Sequence, residues 1–263
     1  MVKSNDSVEG NRTVDKNHQS AAWAKENCPY EVDPQVIDLW RVNLLDADLD
    51  RYQSILSDDE QQRADKFLLD AIRNTFVRSR CALRIVLARC LDQKAASLKF
   101  SYAEQGKPEL ASPMADDFHF NLSHSEDTAL IVVANGRRVG IDIGSSRRAT
   151  RWQPIAKRSF SVSELNLLLN LPDVDQEAAF HRIWTQKEAY TKAIGDGYSY
   201  GFRKFTVEVD ADGGSGLLAD DNNPRSVGEW NMQSINVGSD YIAALAYDGA
   251  QVNRIRQWEF CLE

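Results

Sequence analysis

Apolar residues recur at helical spacing in three segments of the chain. The predicted helices cover residues 59–91, 155–169 and 177–194. The first is either one long helix or a broken one. Ser57 followed by Glu60 forms a capping-box pattern at its start. Gly195 directly follows the third helix and is suited to end it.

Shorter apolar runs bounded by turn residues predict strands. These runs cover residues 98–102, 119–122, 128–134, 139–143, 205–209, 230–235 and 241–247. Asn135-Gly136 predicts a hairpin between the third and fourth runs. In the fourth run, Val139, Ile141 and Ile143 share one face, which places Asp142 on the other. The segment 213–225 is expected to be a flexible loop.

The order of these elements predicts an α+β fold, because a helix followed by strands occurs twice. Residues 128–136, TALIVVANG, resemble residues 241–249, YIAALAYDG, in pattern, which favours two similar halves. We divide the chain into three parts. Residues 1–22 are a polar tail expected to be disordered, residues 23–138 form an N-terminal half and residues 139–263 form a C-terminal half.

Composition and charge argue against several classes of protein. A net charge of −8 argues against a general nucleic-acid binder. The longest apolar stretch, residues 129–134, is too short to span a membrane, and the N-terminus has no secretory pattern. Four cysteines without a C-x-x-C pair indicate reduced thiols, so we expect a cytoplasmic protein. Five arginines without an acid between residues 71 and 91 predict a local anion site.

Two motifs contain a carboxylate in a defined structural setting. In the segment 184–192, WTQKEAYTK, helical spacing puts Trp184, Glu188 and Lys192 on one face. A surface Glu–Lys pair is the simpler interpretation of that spacing. In the segment 140–144, GIDIG, Asp142 lies beside glycines that allow close approach of a phosphate–metal unit. An exposed strand aspartate is the alternative.

Two further motifs suit phosphate oxygens. Residues 121–125, NLSHS, offer hydroxyls and an imidazole at a strand end, although a polar turn would look the same. Residues 106–108, Gly-Lys-Pro, hold a lysine in a rigid turn, which is also a common turn sequence. A Ser/His/Asp hydrolase has little support, because no G-x-S-x-G elbow is present.

Taken in order, the four segments resemble the Sfp-type 4′-phosphopantetheinyl transferase family. Its pattern runs G-K-P, F-N-x-S-H-S, G-(I/V)-D-x-E and W-x-x-K-E-(A/S)-x-x-K, and this chain has GKP, FNLSHS, GIDIG and WTQKEAYTK. The segments AKRSFSVSEL (156–165), RADKF (63–67) and SRCALR (79–84) add to the resemblance, which covers residues 57–210.

The resemblance implies a reaction and a set of site residues. The reaction is transfer of the 4′-phosphopantetheine arm of coenzyme A to a serine of an apo acyl, polyketide or peptidyl carrier protein, with release of adenosine 3′,5′-bisphosphate. The implied Mg²⁺ ligands are Asp142 and Glu188, with Glu188 also the candidate general base. The implied contacts to coenzyme A are Arg63, Arg80, Lys107, Ser123, His124 and Lys192, with Lys192 facing the pyrophosphate and acting in catalysis.

The implied fold has two similar α+β halves, with coenzyme A in the cleft between them and the metal site in the C-terminal half. A monomer that binds neither nucleic acid nor membrane is expected. The basic residues that follow the metal strand are expected to meet an acidic carrier: Arg147, Arg148, Arg151, Lys157 and Arg158.

The chain departs from the family pattern at Gly144, where a second carboxylate is usual. Because of that departure, a second interpretation stays open: the protein binds coenzyme A or a carrier protein without catalysing transfer. Another phosphate-handling enzyme is a third interpretation, although neither a Walker A motif nor a dinucleotide fingerprint is present.

Overall fold

The computed structural model describes residues 23–24, 33–111, 117–147, 149–208 and 215–262. The predicted disordered tail, residues 1–22, lies outside these ranges. The helices are α1 (Asp58–Ala64), α2 (Asp70–Cys90), α3 (Trp152–Ser159), α4 (Val162–Asn170) and α5 (Asp173–Ile194). The strands of the first half are β1 (Val36–Asn43), β2 (Phe100–Tyr102), β3 (Pro108–Leu110), β4 (Phe118–Ser125) and β5 (Thr128–Asn135). The remaining strands are β6 (Val139–Ser145), β7 (Phe205–Val207), β8 (Leu217–Asp220), β9 (Trp230–Ile235), β10 (Tyr241–Asp248) and β11 (Arg254–Glu259).

Two sheets face each other at the centre of the molecule. The first sheet has the strand order β11-β1-β5-β4, and the second has the order β6-β10-β9. Helix α2 covers the outer face of the first sheet, and α5 covers the outer face of the second. Each half is therefore a long helix packed on a small sheet, and the predicted α+β fold with two similar halves is confirmed.

Strand β5 shows how sequence sets this layering. Ala129, Ile131 and Val133 pack toward α2, while Leu130 and Val132 pack toward the second sheet. Both faces are buried, so the strand is apolar throughout instead of alternating. Its counterpart in the sequence echo, β10, likewise lies inside its own sheet, between β6 and β9.

The predicted hairpin at Asn135-Gly136 is wrong. The chain does turn there, with Gly136 at a positive φ of 70°. However, β5 pairs with β1 and β4, whereas β6 pairs with β10. The turn carries the chain from one sheet to the other, because the apolar faces of β5 and β6 pack against each other between the sheets.

Two other predictions need correction. The predicted helix at 155–169 is two helices, since the chain is extended at Phe160 and Ser161, where Ser161 and Glu164 form a capping box. The predicted loop at 213–225 contains β8. Strand β11 pairs in parallel with β1, so the C-terminal half lends its last strand to the first sheet.

The predicted helix at 59–91 is broken, and α1 and α2 flank the break. In the described ranges, no helix is both long enough and apolar enough to cross a bilayer.

Candidate active site

Asp142 projects from the face of β6 that packs against α5. Its neighbours Ile141 and Ile143 point the other way, into the apolar layer between the sheets. The Asp142 carboxylate is buried, and its Oδ1 atom lies 2.6 Å from Nζ of Lys192 on α5. Ser123 on β4 donates its hydroxyl to the same oxygen at 2.9 Å. Three predicted site residues from three elements therefore meet at one point.

Glu188 lies one helical turn before Lys192 and is half-buried. Burial raises the pKa of Glu188, and the negative charge of Asp142 raises it further, while Lys192 partly offsets both effects. Two carboxylates thus repel each other in a site that is partly withdrawn from water. Such a site favours either a proton or an added cation.

A glycine allows α5 to approach β6 closely enough to build this cluster. A methyl group on Gly140 would overlap the carbonyl oxygen of Ala189 and would lie 2.9 Å from Cα of Ala193. These are backbone atoms of α5, so only a shift of the helix could relieve the overlap. The glycines were predicted only to make room for a phosphate, and this packing role was not predicted.

Gly144, the last glycine of the segment, has free space beside it and makes no close contact with α5. A methyl group on Gly144 would have Cγ2 of Thr185 as its nearest neighbour, at 3.6 Å. The Thr185 hydroxyl donates to the carbonyl oxygens of His181 and Arg182 within its own helix. The side chain beside Gly144 therefore presents a methyl group, and it does not replace the missing carboxylate.

Lys107 crosses from the first half to the end of α5. It lies in the β2–β3 turn, and its ammonium group donates to the carbonyl oxygens of Lys192 at 2.8 Å and Ala193 at 3.2 Å. Burial lowers the pKa of Lys107 to about 8. A cation at a helix C-terminus complements the helix dipole and satisfies carbonyls that lack partners within the helix. Lys107 therefore fixes the helix turn that carries Lys192.

His124 lies near the end of β4, next to Ser123, with an exposed side chain. Partial withdrawal from water lowers the pKa of His124 and the Lys192 charge lowers it further, while Asp142 opposes the shift. The imidazole is therefore mostly neutral at pH 7, so one ring nitrogen can donate a hydrogen bond without adding charge.

The site offers few protein groups that could bind a metal ion. Within the described ranges, no group of three or more His, Cys, Asp or Glu residues is placed to hold a metal ion. Asp142 and Glu188 supply two carboxylates, a donor type that hard cations such as Mg²⁺ prefer.

Comparison with known proteins follows the same division into halves. Residues 138–246 match the profile of the 4′-phosphopantetheinyl transferase superfamily, and residues 40–136 match that of the 4′-phosphopantetheinyl transferase N-terminal family. The chain belongs to the 4′-phosphopantetheinyl transferase family. The enzyme class that the sequence predicts is thereby confirmed.

Two curated relatives of this transferase are named 4′-phosphopantetheinyl transferases. It is 39% identical over 164 residues to the 4′-phosphopantetheinyl transferase HetI of Nostoc sp., covering 61% of this chain and 69% of HetI. It is 29% identical over 176 residues to the 4′-phosphopantetheinyl transferase Sfp of Bacillus subtilis, covering 66% of this chain and 76% of Sfp.

Among solved structures, one match is a holo-(acyl-carrier-protein) synthase from Bacillus anthracis in complex with coenzyme A. The TM-score is 0.35 and the sequence identity 21%, over 42% of the transferase and 94% of that chain. At this level the likeness carries no argument about the site.

The arginines of α2 do not form an open anion site in the transferase. Arg80 and Arg84 are buried and both bind the buried carboxylate of Glu60, at 2.8 and 2.6 Å. Arg78 binds Asp50 at 2.8 Å. The two others also have protein partners, because Arg73 lies 3.5 Å from Asp65 and Arg89 donates to the Cys261 carbonyl at 3.1 Å. The prediction of a local anion patch is therefore wrong.

The two arginines predicted to contact coenzyme A differ in access. Arg63 is exposed, with its guanidinium 5.4 Å from the centre of the Phe76 ring. Arg80 donates to Glu60 and to the hydroxyl of Tyr102 at 3.0 Å. Its predicted contact with coenzyme A stays a prediction, and it would require a guanidinium already held in a buried ion pair.

Lys187, the neighbour of Glu188, was not predicted to have a role. Lys187 is fully buried and binds Glu164 at 2.9 Å, and it donates to the carbonyl oxygens of Phe202 and Phe205. A buried ammonium with three acceptors fixes the rotation of α5, because turning the helix would leave that charge unpaired. The motif W-x-x-K-E was the available signal, since a lysine directly before a site residue does not share that residue's face of the helix.

Proposed function

We propose that the transferase moves the 4′-phosphopantetheine arm of coenzyme A to a serine hydroxyl of an apo carrier protein at the Asp142–Glu188–Lys192 cluster, releasing adenosine 3′,5′-bisphosphate. The observation that carries this proposal is the meeting of Lys192, Asp142 and Ser123 at distances of 2.6 to 3.0 Å. Attack on the β-phosphate of coenzyme A builds negative charge on the pyrophosphate. Catalysis therefore depends on positive charge and on positioning.

Asp142 and Glu188 are the residues that would hold Mg²⁺. Their fit rests on two carboxylates in a site partly withdrawn from water: burial raises the pKa of Glu188, the charge of Asp142 raises it further, and a cation would favour the ionised form of both groups. When bound, Mg²⁺ neutralises charge on the phosphate oxygens. Phosphate oxygens and waters would complete its six-oxygen shell.

The protein's own groups divide the remaining tasks. Glu188 is the general base for the serine hydroxyl, directly or through a water. Lys192 stabilises the leaving phosphate. Ser123, His124, Lys107 and Arg63 bind the phosphates of coenzyme A, and Lys107 also holds the last turn of α5.

The direct test is incubation with coenzyme A, Mg²⁺ and a panel of apo carrier proteins, followed by intact mass measurement of each carrier. We expect the mass of the phosphopantetheine arm on at least one carrier and none on a carrier whose acceptor serine is replaced by alanine. Binding of coenzyme A without modification of any carrier would instead support a non-catalytic binder.

His124→Ala is expected to raise the KM for coenzyme A roughly tenfold with a smaller change in kcat, because a hydrogen bond to a charged phosphate is lost in ground state and transition state alike. Lys107→Ala is expected to raise KM and also to lower the melting temperature, since it removes two bonds to α5. Steady-state kinetics and thermal unfolding separate the two. A large kcat loss at unchanged KM for His124→Ala would move this residue into the chemical step.

Gly144→Glu is expected to lower the Mg²⁺ concentration required for half-maximal rate, because it adds a carboxylate on the strand face that carries Asp142. The nearest atom to a new Cβ is 3.6 Å away, an ordinary contact, so the strand accepts a side chain. Titration of Mg²⁺ against the parent and Gly144→Gln, which has the same shape without the charge, measures the effect. An equal or higher Mg²⁺ requirement for the glutamate would contradict the proposed metal position.

The carrier is expected to dock near the basic residues of α3. Arg147 is already bound to Glu126, Asp127 and Asp240, so it is a poor candidate for docking. Arg148 lies outside the described residues. Arg151, Lys157 and Arg158 are exposed, which leaves this part of the predicted basic cluster available to an acidic carrier.

The double variant Arg151→Glu/Lys157→Glu is expected to lower kcat/KM for the carrier about tenfold at low salt, with KM for coenzyme A unchanged, because rim charges mainly govern association. Lys94→Glu/Lys99→Glu makes the same charge change at exposed positions of the first half and serves as the control. Equal effects of the two double variants, or no response to salt, would place the docking surface elsewhere.

A further inference from the structure

Asn121 lies in a seam between the two sheets and has no assigned role. Strands β4 and β6 are edge strands of different sheets, and they lie against each other. Backbone pairing joins β4 to β5 and β6 to β10, so the other edge of β6 needs a different set of acceptors.

Side chains of β4 supply those acceptors. The backbone N–H of Ile141 donates to Oδ1 of Asn121 at 2.9 Å. The N–H of Ile143 donates to Oγ of Ser123 at 3.4 Å, a longer bond. Asn121 and Ser123 are two residues apart on one face of β4, and the two N–H groups are two residues apart on β6. The side chains therefore replace a strand partner along this edge.

This arrangement sets the position of Asp142. The two N–H groups belong to the residues on either side of Asp142. That of Ile143 is in the peptide unit directly after Asp142, and that of Ile141 is in the unit between Gly140 and Ile141, so the strand is held from β4 on both sides of Asp142. Of the two bonds, the one to Asn121 is shorter, and Ser123 divides its hydroxyl among Ile143, Asp142 and Lys192. Asn121 itself is buried.

We infer that Asn121 is a positioning residue, which fixes the β6 edge so that the Asp142 carboxylate meets Lys192, Ser123 and the bound cation in one orientation. This inference rests on the proposed role of Asp142 in catalysis. Asn121 acts through the backbone of Ile141 and does not touch the substrate. Partners of this kind, which orient a metal-binding group, are commonly worth about 10- to 100-fold in metal affinity or activity.

The test compares Asn121→Ala with Asn121→Ser, which differ by one hydroxyl group. Ser123 shows that a serine on this face of β4 can reach an N–H of β6. Ile37→Val is the stability control, since Ile37 is fully buried in the layer between the sheets on β1, which β5 separates from β4. The readouts are amide hydrogen exchange at Ile141, Mn²⁺ binding without coenzyme A, and kcat.

We expect Asn121→Ala to speed exchange at Ile141, to weaken Mn²⁺ binding and to lower kcat, each by about tenfold or more, with Asn121→Ser recovering part of each. Ile37→Val is expected to lower stability while leaving kcat and Mn²⁺ binding near parental values. Two results would overturn the inference. One is unchanged exchange at Ile141 in Asn121→Ala, and the other is faster exchange with parental kcat and Mn²⁺ binding.

Failure of the proposed function is recognised separately. It would appear in the parent protein as no modification of any carrier, whereas exchange at Ile141 reports on the seam whether or not Asp142 takes part in catalysis.

Discussion

Glu188→Gln is expected to lower the rate of phosphopantetheinyl transfer by at least about a hundredfold, because the amide keeps the shape of the side chain but can neither accept the serine proton nor bind a cation as a carboxylate. The same change is expected to stabilise the fold at neutral pH. Burial and the charge of Asp142 raise the pKa of Glu188, so the ionised side chain opposes folding. Loss of activity with gain of stability is the signature of a residue kept for function.

The stability gain of Glu188→Gln should depend on pH. A carboxyl group with a raised pKa in the folded state favours folding while protonated and loses that contribution as pH rises through the folded pKa. The stability gain of Glu188→Gln should therefore be present at pH 7 to 8 and should vanish below the ordinary pKa of a glutamate. Urea unfolding across this range, with Asp175→Asn on the exposed face of α5 as the control, measures it. Parental transfer by Glu188→Gln would reject the proposed mechanism.

Gly140→Ala is expected to abolish most of the activity and to destabilise the fold by about 3 kcal/mol, at the upper end of overpacking effects. The added methyl group meets backbone atoms of α5 at Ala189 and Ala193, which cannot move without the helix. Helix α5 carries Glu188 and Lys192. Displacing it therefore separates both residues from Asp142 on β6.

Gly144→Ala is the matched control, because it adds the same group to the same face of the same strand with its nearest contact at 3.6 Å. We expect its stability and transfer rate to stay near those of the parent. Urea unfolding and single-turnover transfer on both variants decide the point. If both alanines behave alike, close approach at Gly140 is not what positions the site.

The candidate site was accessible from sequence because its residues lie in short motifs with local periodicity. Alternation around Asp142 gave its direction correctly, and helical spacing placed Glu188 and Lys192 together. The identity of the group that each side chain contacts depends on distant elements. Lys107 was predicted to bind phosphate, and its bonds to the carbonyl oxygens of α5 could not be read from a turn sequence.

The parts of the fold that were missed depend on pairs far apart in the chain. Strand β1 lies inside the first sheet, but it contains Asp38 and Arg41, and these charged residues made it look like a polar segment in the sequence. Asp38 is buried because Arg256 binds it through two bonds of 2.6 Å and Trp258 donates a third at 2.8 Å. The arginines of α2 were misread for the same reason. Glu60 satisfies two of them, and only the folded structure brings it there.

The parallel pairing of β1 with β11 bears on how the chain folds. Asp38 and Arg256 are separated by 218 positions, so this contact is among the last that a growing or refolding chain can make. Until β11 arrives, β1 has an unpaired edge beside a buried aspartate without its arginine. We therefore expect refolding to pass through a species prone to edge-to-edge association. Arg256→Ala, which removes the partner of Asp38 and leaves the rest of the chain in place, should then raise the aggregated fraction during refolding, measured by light scattering.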